Sequence, residues 1–87
     1  MRLDALHQAI HAGREQETEE LAHGLRGSGA SLGAQHLTRA AAALENRARQ
    51  GRLQGAGCNL LTVAIEVERL RDFLENEGLI PARSEAA

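Results

Sequence analysis

The chain has 87 residues, a formal net charge of -2 and one cysteine, Cys58. This length allows one small domain, with little room for a deep active-site cleft. The charge argues against nucleic acid or an anionic membrane as the main partner, and a single cysteine cannot form an internal disulfide. Because no secretory signal peptide or bilayer-spanning apolar run is evident, the sequence predicts a cytoplasmic protein.

The hydrophobic pattern predicts an all-α fold. Hydrophobic residues make up 43% of the chain but aromatic residues only 1%, so the core must consist of Leu, Ala, Val and Ile. Apolar residues recur at helical spacing, and no sustained alternation suggests a strand. Short connections favour antiparallel neighbours. We therefore predict an up-down-up-down four-helix bundle over residues 1–80, with a short first helix and a disordered tail over 81–87.

The first two helices are predicted over Arg2 to Ala12 and from Glu15 to Gly33. The second begins with a cluster of acidic residues, which suits the positive end of a helix dipole. Its far end is rich in glycine and serine, but the apolar stripe continues through it. Four residues share that stripe and are expected to face the core, with the serine hydroxyl bonded to a backbone carbonyl: Leu21, Leu25, Ser28 and Leu32.

The third helix is predicted from Ala34 to near Gly51. Its inward residues are Leu37, Ala41, Leu44 and Ala48. Arginines follow at its end, at positions 47, 49 and 52. Cations suit the negative end of a helix dipole, so we interpret them as a helix-end charge cluster rather than a binding patch.

A glycine-bearing turn from Gln54 to Gly57 is predicted to precede the last helix. Its inward stripe repeats at three and four residues, in the order Leu60, Val63, Val67, Leu70 and Leu74. Ile65 and Phe73 flank this stripe and are expected to widen it. Cys58 is expected to be a small hydrophobic residue within the bundle.

One histidine stands on the polar side of the second helix. At about 100° per residue, His23 lies roughly 200° from Leu21, so it faces water. One turn further on are Arg26, a fixed cation, and Gly27, which has no side chain. The imidazole is therefore open to a bulky partner.

The residues around this histidine resemble the motif of the histidine-containing phosphotransfer domain. That motif reads roughly Ala-His-x-Leu-Lys-Gly-Ser and, some four residues later, Leu-Gly-Ala. The chain reads Ala-His-Gly-Leu-Arg-Gly-Ser from Ala22, then Leu-Gly-Ala from Leu32, with arginine replacing the usual lysine. The similarity continues through Leu44 and Glu45 to Leu74, so it covers most of the chain.

The resemblance implies a phosphorelay carrier that has no independent enzymatic turnover. His23 would accept a phosphoryl group from a receiver-domain aspartate and pass it to another, Arg26 would stabilise the phosphate, and Gly24 and Gly27 would give the receiver access. Receiver domains and a hybrid sensor histidine kinase are the implied partners. No cofactor is expected on this chain, since the catalytic Mg²⁺ would come from the receiver. We expect a monomer rather than a homodimer.

Three alternatives remain open from the sequence. A helical adaptor could bind a signalling protein without being phosphorylated. His7 and His11 have the spacing of a metal-binding pair, but no third ligand is evident, and solvated histidines are favoured, as for His36. Self-association is the third, because a short first helix leaves apolar surface uncovered.

Overall fold

A computed structural model describes residues 3–81 and shows four α-helices, with no strand in that range. The helices are α1 (Asp4–His11), α2 (Glu15–Ser31), α3 (Gln35–Arg49) and α4 (Ala56–Asn76). Each helix packs on the next in the chain, and α1 also packs on α4. The predicted all-α fold is confirmed, and these neighbours are consistent with an up-down-up-down bundle. Within the described range no helix is both long and apolar enough to cross a membrane.

The helix ends lie within about two residues of the predicted positions. Three glycines at or next to predicted helix ends, Gly13, Gly33 and Gly51, adopt φ angles of 72°, 71° and 71°. This left-handed conformation ends a helix and costs glycine little, because it has no Cβ. The last helix begins inside its predicted turn, at Ala56. Arg2 and residues 82–87, which include most of the predicted tail, lie outside the described residues.

The core consists of aliphatic side chains, as the composition requires. Leu37, Ala41, Leu44 and Ala48 of α3 are all buried, so the predicted inward face of that helix is confirmed. Leu6 of α1 and Val63 of α4 close the centre of the bundle. Both α2 and α4 thereby pack against the buried face of α3.

The buried stripe of α2 differs from the predicted one. Its buried residues are mostly small: Thr18, Ala22, Leu25 and Gly29. Ser28 is exposed and Leu32 is 54% exposed, so both predictions of burial were wrong. At about 1.5 Å per residue, α1 is only about 12 Å long beside the roughly 25 Å of α2, so it cannot flank the whole of α2. Close packing on α3 through small residues turns the stripe toward that helix.

The α4 helix is covered on one side only. Val63 is fully buried, whereas Val67, Leu70 and Leu74 of the same stripe are half-buried. Ile65 and Phe73 do not widen the core, because they are 45% and 55% exposed. The free thiol of Cys58 is also exposed, which contradicts its predicted place within the bundle. These errors share one cause: α4 contacts α3 and the short α1 but makes no comparable contact with α2 within the described range.

Candidate functional site

The exposed side of α2 presents His23 to solvent. The His23 side chain is 65% exposed, as its polar position predicted. Gly24 and Gly27 lie beside it, and a Cβ atom built on either glycine would meet nothing within 4 Å. Around the imidazole the helix surface is therefore open to an approaching protein.

A buried carboxylate stands behind the imidazole. Glu45 of α3 is 4% exposed, and its Oε2 lies 2.9 Å from His23 Nδ1. Arg26 Nε lies 2.8 Å from Oε1, an ion pair in which the N–H is not aligned as a hydrogen bond. Arg49 completes the group, because its Nη2 donates to Oε2 at 3.1 Å. One carboxylate thus gathers two guanidinium groups and the histidine.

Burial and the surrounding positive charges act in opposite directions on Glu45. Burial would raise the pKa of its carboxyl group, because desolvation disfavours the charged form. The hydrogen bond with His23 and the charges of Arg26, His23 and Arg49 lower that pKa by more, so it lies below its ordinary value. The side chain is therefore a carboxylate at neutral pH.

An ionised Glu45 determines which nitrogen of the neutral His23 ring carries the proton. A carboxylate can only accept a hydrogen bond, so the 2.9 Å contact requires the proton on Nδ1. Arg26 Nη2 also lies 2.9 Å from Nδ1, but Nδ1 cannot accept from it while it donates to Glu45. The lone pair of the neutral ring is then on Nε2. No hydrogen bond described for residues 3–81 involves that nitrogen, which leaves it free to react.

A second carboxylate holds Arg49 in place. Arg49 Nε donates to Glu19 Oε2 at 3.1 Å, so this arginine joins α2 to α3. From the sequence, Arg49 was predicted to belong to a helix-end cluster and Glu45 was not predicted to contribute to the site. The sequence spacing could have indicated the ion pair between Glu45 and Arg49, because these residues are four apart on one helix face. The contribution of Glu19 could not be read from spacing, because it lies on the other helix.

A cleft of about 710 Å³ opens beside this group. Acidic residues near the start of α2 and the two arginines both line it. Its lining residues are Glu15, Gln16, Glu19, Glu20, His23, Arg26, Glu45, Ala48 and Arg49. His23 therefore borders a polar surface on which four glutamates outnumber two arginines, so the arginines are the groups there that favour an anion.

The other candidate residues lie apart from this site. The rings of His7 and His11 are stacked with centroids 6.3 Å apart, and no group of three metal-binding side chains occurs among the described residues. His36 is exposed at the start of α3. Arg47 donates to the backbone carbonyls of Arg52 and Gln54, a helix-end role that agrees with the sequence interpretation.

Comparison with known proteins gives one informative result. The family model described as the Hpt domain matches residues 1–76. Curated proteins and solved structures give no significant match. The matched segment contains five residues of α2 and α3 that are linked by these contacts, which we call the charged group: Glu19, His23, Arg26, Glu45 and Arg49.

Proposed function

This chain belongs to the Hpt domain family, the carriers of His-to-Asp phosphorelays. We therefore propose that His23 accepts a phosphoryl group from the aspartate of one receiver domain and passes it to the aspartate of another. The observation that carries the proposal is the contact between the buried Glu45 carboxylate and His23 Nδ1. It directs the lone pair of the exposed ring to Nε2, where an in-line attack on phosphorus is sterically possible.

The proposed step balances without an external base. The Nε2 lone pair forms the N–P bond as the bond from phosphorus to the aspartyl oxygen breaks, and that oxygen keeps the electron pair as a carboxylate. The ring becomes an imidazolium, because Nδ1 keeps its proton. Glu45 lies 2.9 Å from Nδ1 and stabilises this positive charge, as a carboxylate does behind a catalytic histidine. The reverse sequence returns the phosphoryl group to a second receiver.

Arg26 is proposed to stabilise the phosphoryl group after transfer. Its side chain is 41% exposed and its Nη2 is already 2.9 Å from the imidazole. A guanidinium group has more donors than one carboxylate uses, so it can pair with phosphate oxygens as well. A contact of this exposure contributes of order 1 kcal/mol. We therefore assign Arg26 to the lifetime of the phosphorylated state rather than to reactivity.

The bare surface at Gly24 and Gly27 is proposed to admit the receiver. A partner that brings an aspartyl phosphate to Nε2 must bring its own backbone and loops close to α2. Both positions are open in the structure, so the approach meets no side chain there. Mg²⁺, where the transfer uses it, is expected to be supplied by the receiver. We expect this exchange to occur in the cytoplasm, as the sequence predicted.

The test is transfer of labelled phosphate from a phosphorylated receiver. We expect acid-labile, alkali-stable label on the parent protein and none on His23→Gln. His36→Gln is the matched control, because it removes another exposed histidine and leaves the site intact. Absence of label on the parent across a panel of receivers would refute the carrier function. Retained receiver binding in that case would favour the adaptor alternative.

A further inference from the structure

We propose that Arg49 is a positioning residue that keeps the Glu45 carboxylate turned toward His23 and so leaves the Nη groups of Arg26 available to the phosphoryl group; this inference rests on the proposed carrier function. The observation behind it is that His23 and Arg49 contact the same carboxylate oxygen of Glu45. His23 Nδ1 and Arg49 Nη2 lie 2.9 and 3.1 Å from the same Glu45 Oε2, while Arg26 lies on the other oxygen, Oε1.

Without Arg49, the carboxylate would have a competing arrangement. Carboxylate and guanidinium groups favour two parallel hydrogen bonds, which use both oxygens. Arg26 already lies 2.8 Å from Oε1, but its Nε–H is not aligned with that oxygen. Rotation of the Glu45 carboxyl group would offer both oxygens to Arg26. His23 Nδ1 would then lose its acceptor, and Arg26 would become committed to Glu45.

Arg49 is itself held from the opposite side. Its Nε donates to Glu19 on α2 and its Nη2 to Glu45 on α3, so two different nitrogens of one rigid plane serve two carboxylates. A lysine carries its charge on a single nitrogen and cannot reproduce this fixed geometry. The bridge orients Glu45 although the Arg49 side chain is 56% exposed. Replacement of so exposed a side chain is not expected to unfold the bundle.

The primary measurement is the tautomer of His23 in the unphosphorylated protein. Long-range ¹H–¹⁵N spectra at pH 8 distinguish a protonated from an unprotonated ring nitrogen. We expect the parent to hold the proton on Nδ1 and Arg49→Gln to give averaged nitrogen shifts from a mixture of tautomers. Arg49→Lys should lie between them. Arg69→Gln is the control, since it removes an arginine of comparable exposure that pairs with Glu66 on α4.

The second measurement is the rate of phosphoryl acceptance. We expect about a tenfold decrease for Arg49→Gln, which corresponds to about 1.4 kcal/mol of transition-state stabilisation, and no change for Arg69→Gln. Glu19→Gln should produce a smaller change in the same direction. Parent-like tautomer signals in Arg49→Gln would overturn the inference, as would a parent ring protonated on Nε2. Because the spectra need no phosphorylation, absence of label on the parent would refute the carrier function while the spectra still decided the role of Arg49.

Discussion

Substitution of Gly27 is expected to stabilise the protein and impair its function at the same time. Gly27 lies inside α2, and an added Cβ would meet nothing within 4 Å. Alanine in place of glycine inside a helix then contributes about 0.8–1.0 kcal/mol through helix propensity. For a domain of this size, that gain corresponds to a rise in melting temperature of about 4–8 °C.

The loss of function follows from the same open surface. If the receiver closes over Gly27, each added carbon displaces it from Nε2 of His23, and a displacement of about 1 Å can cost about 100-fold in rate. We expect Gly27→Leu to transfer phosphate far more slowly than Gly27→Ala. Leucine has nearly the helix propensity of alanine, so both variants should remain more stable than the parent. Blocked access would lower the transfer rate while stability rises, whereas damaged folding would lower both.

The assay pairs thermal unfolding with phosphoryl transfer from one receiver. Gly57→Ala is the control, since Gly57 is equally open but lies in the first turn of α4. It should leave the transfer rate unchanged. Transfer by Gly27→Leu at the parent rate would refute the reasoning about access. A loss of stability in Gly27→Ala would refute the reasoning about the helix surface.

Three further predictions concern the packing and charge of the site. Gly29→Ala should lower the free energy of unfolding by about 1–3 kcal/mol, because its Cβ would stand 2.8 Å from Thr38 Oγ1 and 3.2 Å from the Thr38 backbone nitrogen. Equal free energies of unfolding for the variant and the parent in urea denaturation would contradict this prediction. Glu45 should contribute to stability at neutral pH, and this contribution should disappear as the pH falls through its lowered pKa, because a depressed carboxyl pKa favours the folded state only while the group is ionised. The difference in unfolding free energy between the parent and Glu45→Gln should therefore shrink between pH 7 and pH 3, and a constant difference would contradict the assignment. Arg26→Ala should shorten the lifetime of phosphorylated His23 several-fold while label is still acquired, and an unchanged decay rate would exclude its proposed role.

The sequence predicted the helices and the open position of His23 because both depend on local periodicity. It could not predict the burial of Gly29 or the exposure of Leu32, because these depend on how closely α2 approaches α3 and how far α1 extends. Glu45 was within the matched motif region, yet its contact with His23 joins residues 22 positions apart. Such a contact depends on the relative rotation of two helices, which periodicity does not determine.

All five residues of the charged group belong to one helical hairpin, α2 and α3, whose helices are separated only by residues 32–34. These two helices also form the most extensive contact between any two elements of the described bundle. Partial opening of the thinly covered end of α4 would therefore leave the hairpin intact. Amide hydrogen exchange should be slowest in the hairpin and fastest in α4 toward Asn76. Fraying of α4 would therefore leave the reactivity of His23 unchanged. For the same reason, substitutions on the outer side of α4 can accumulate without altering the chemistry at the imidazole.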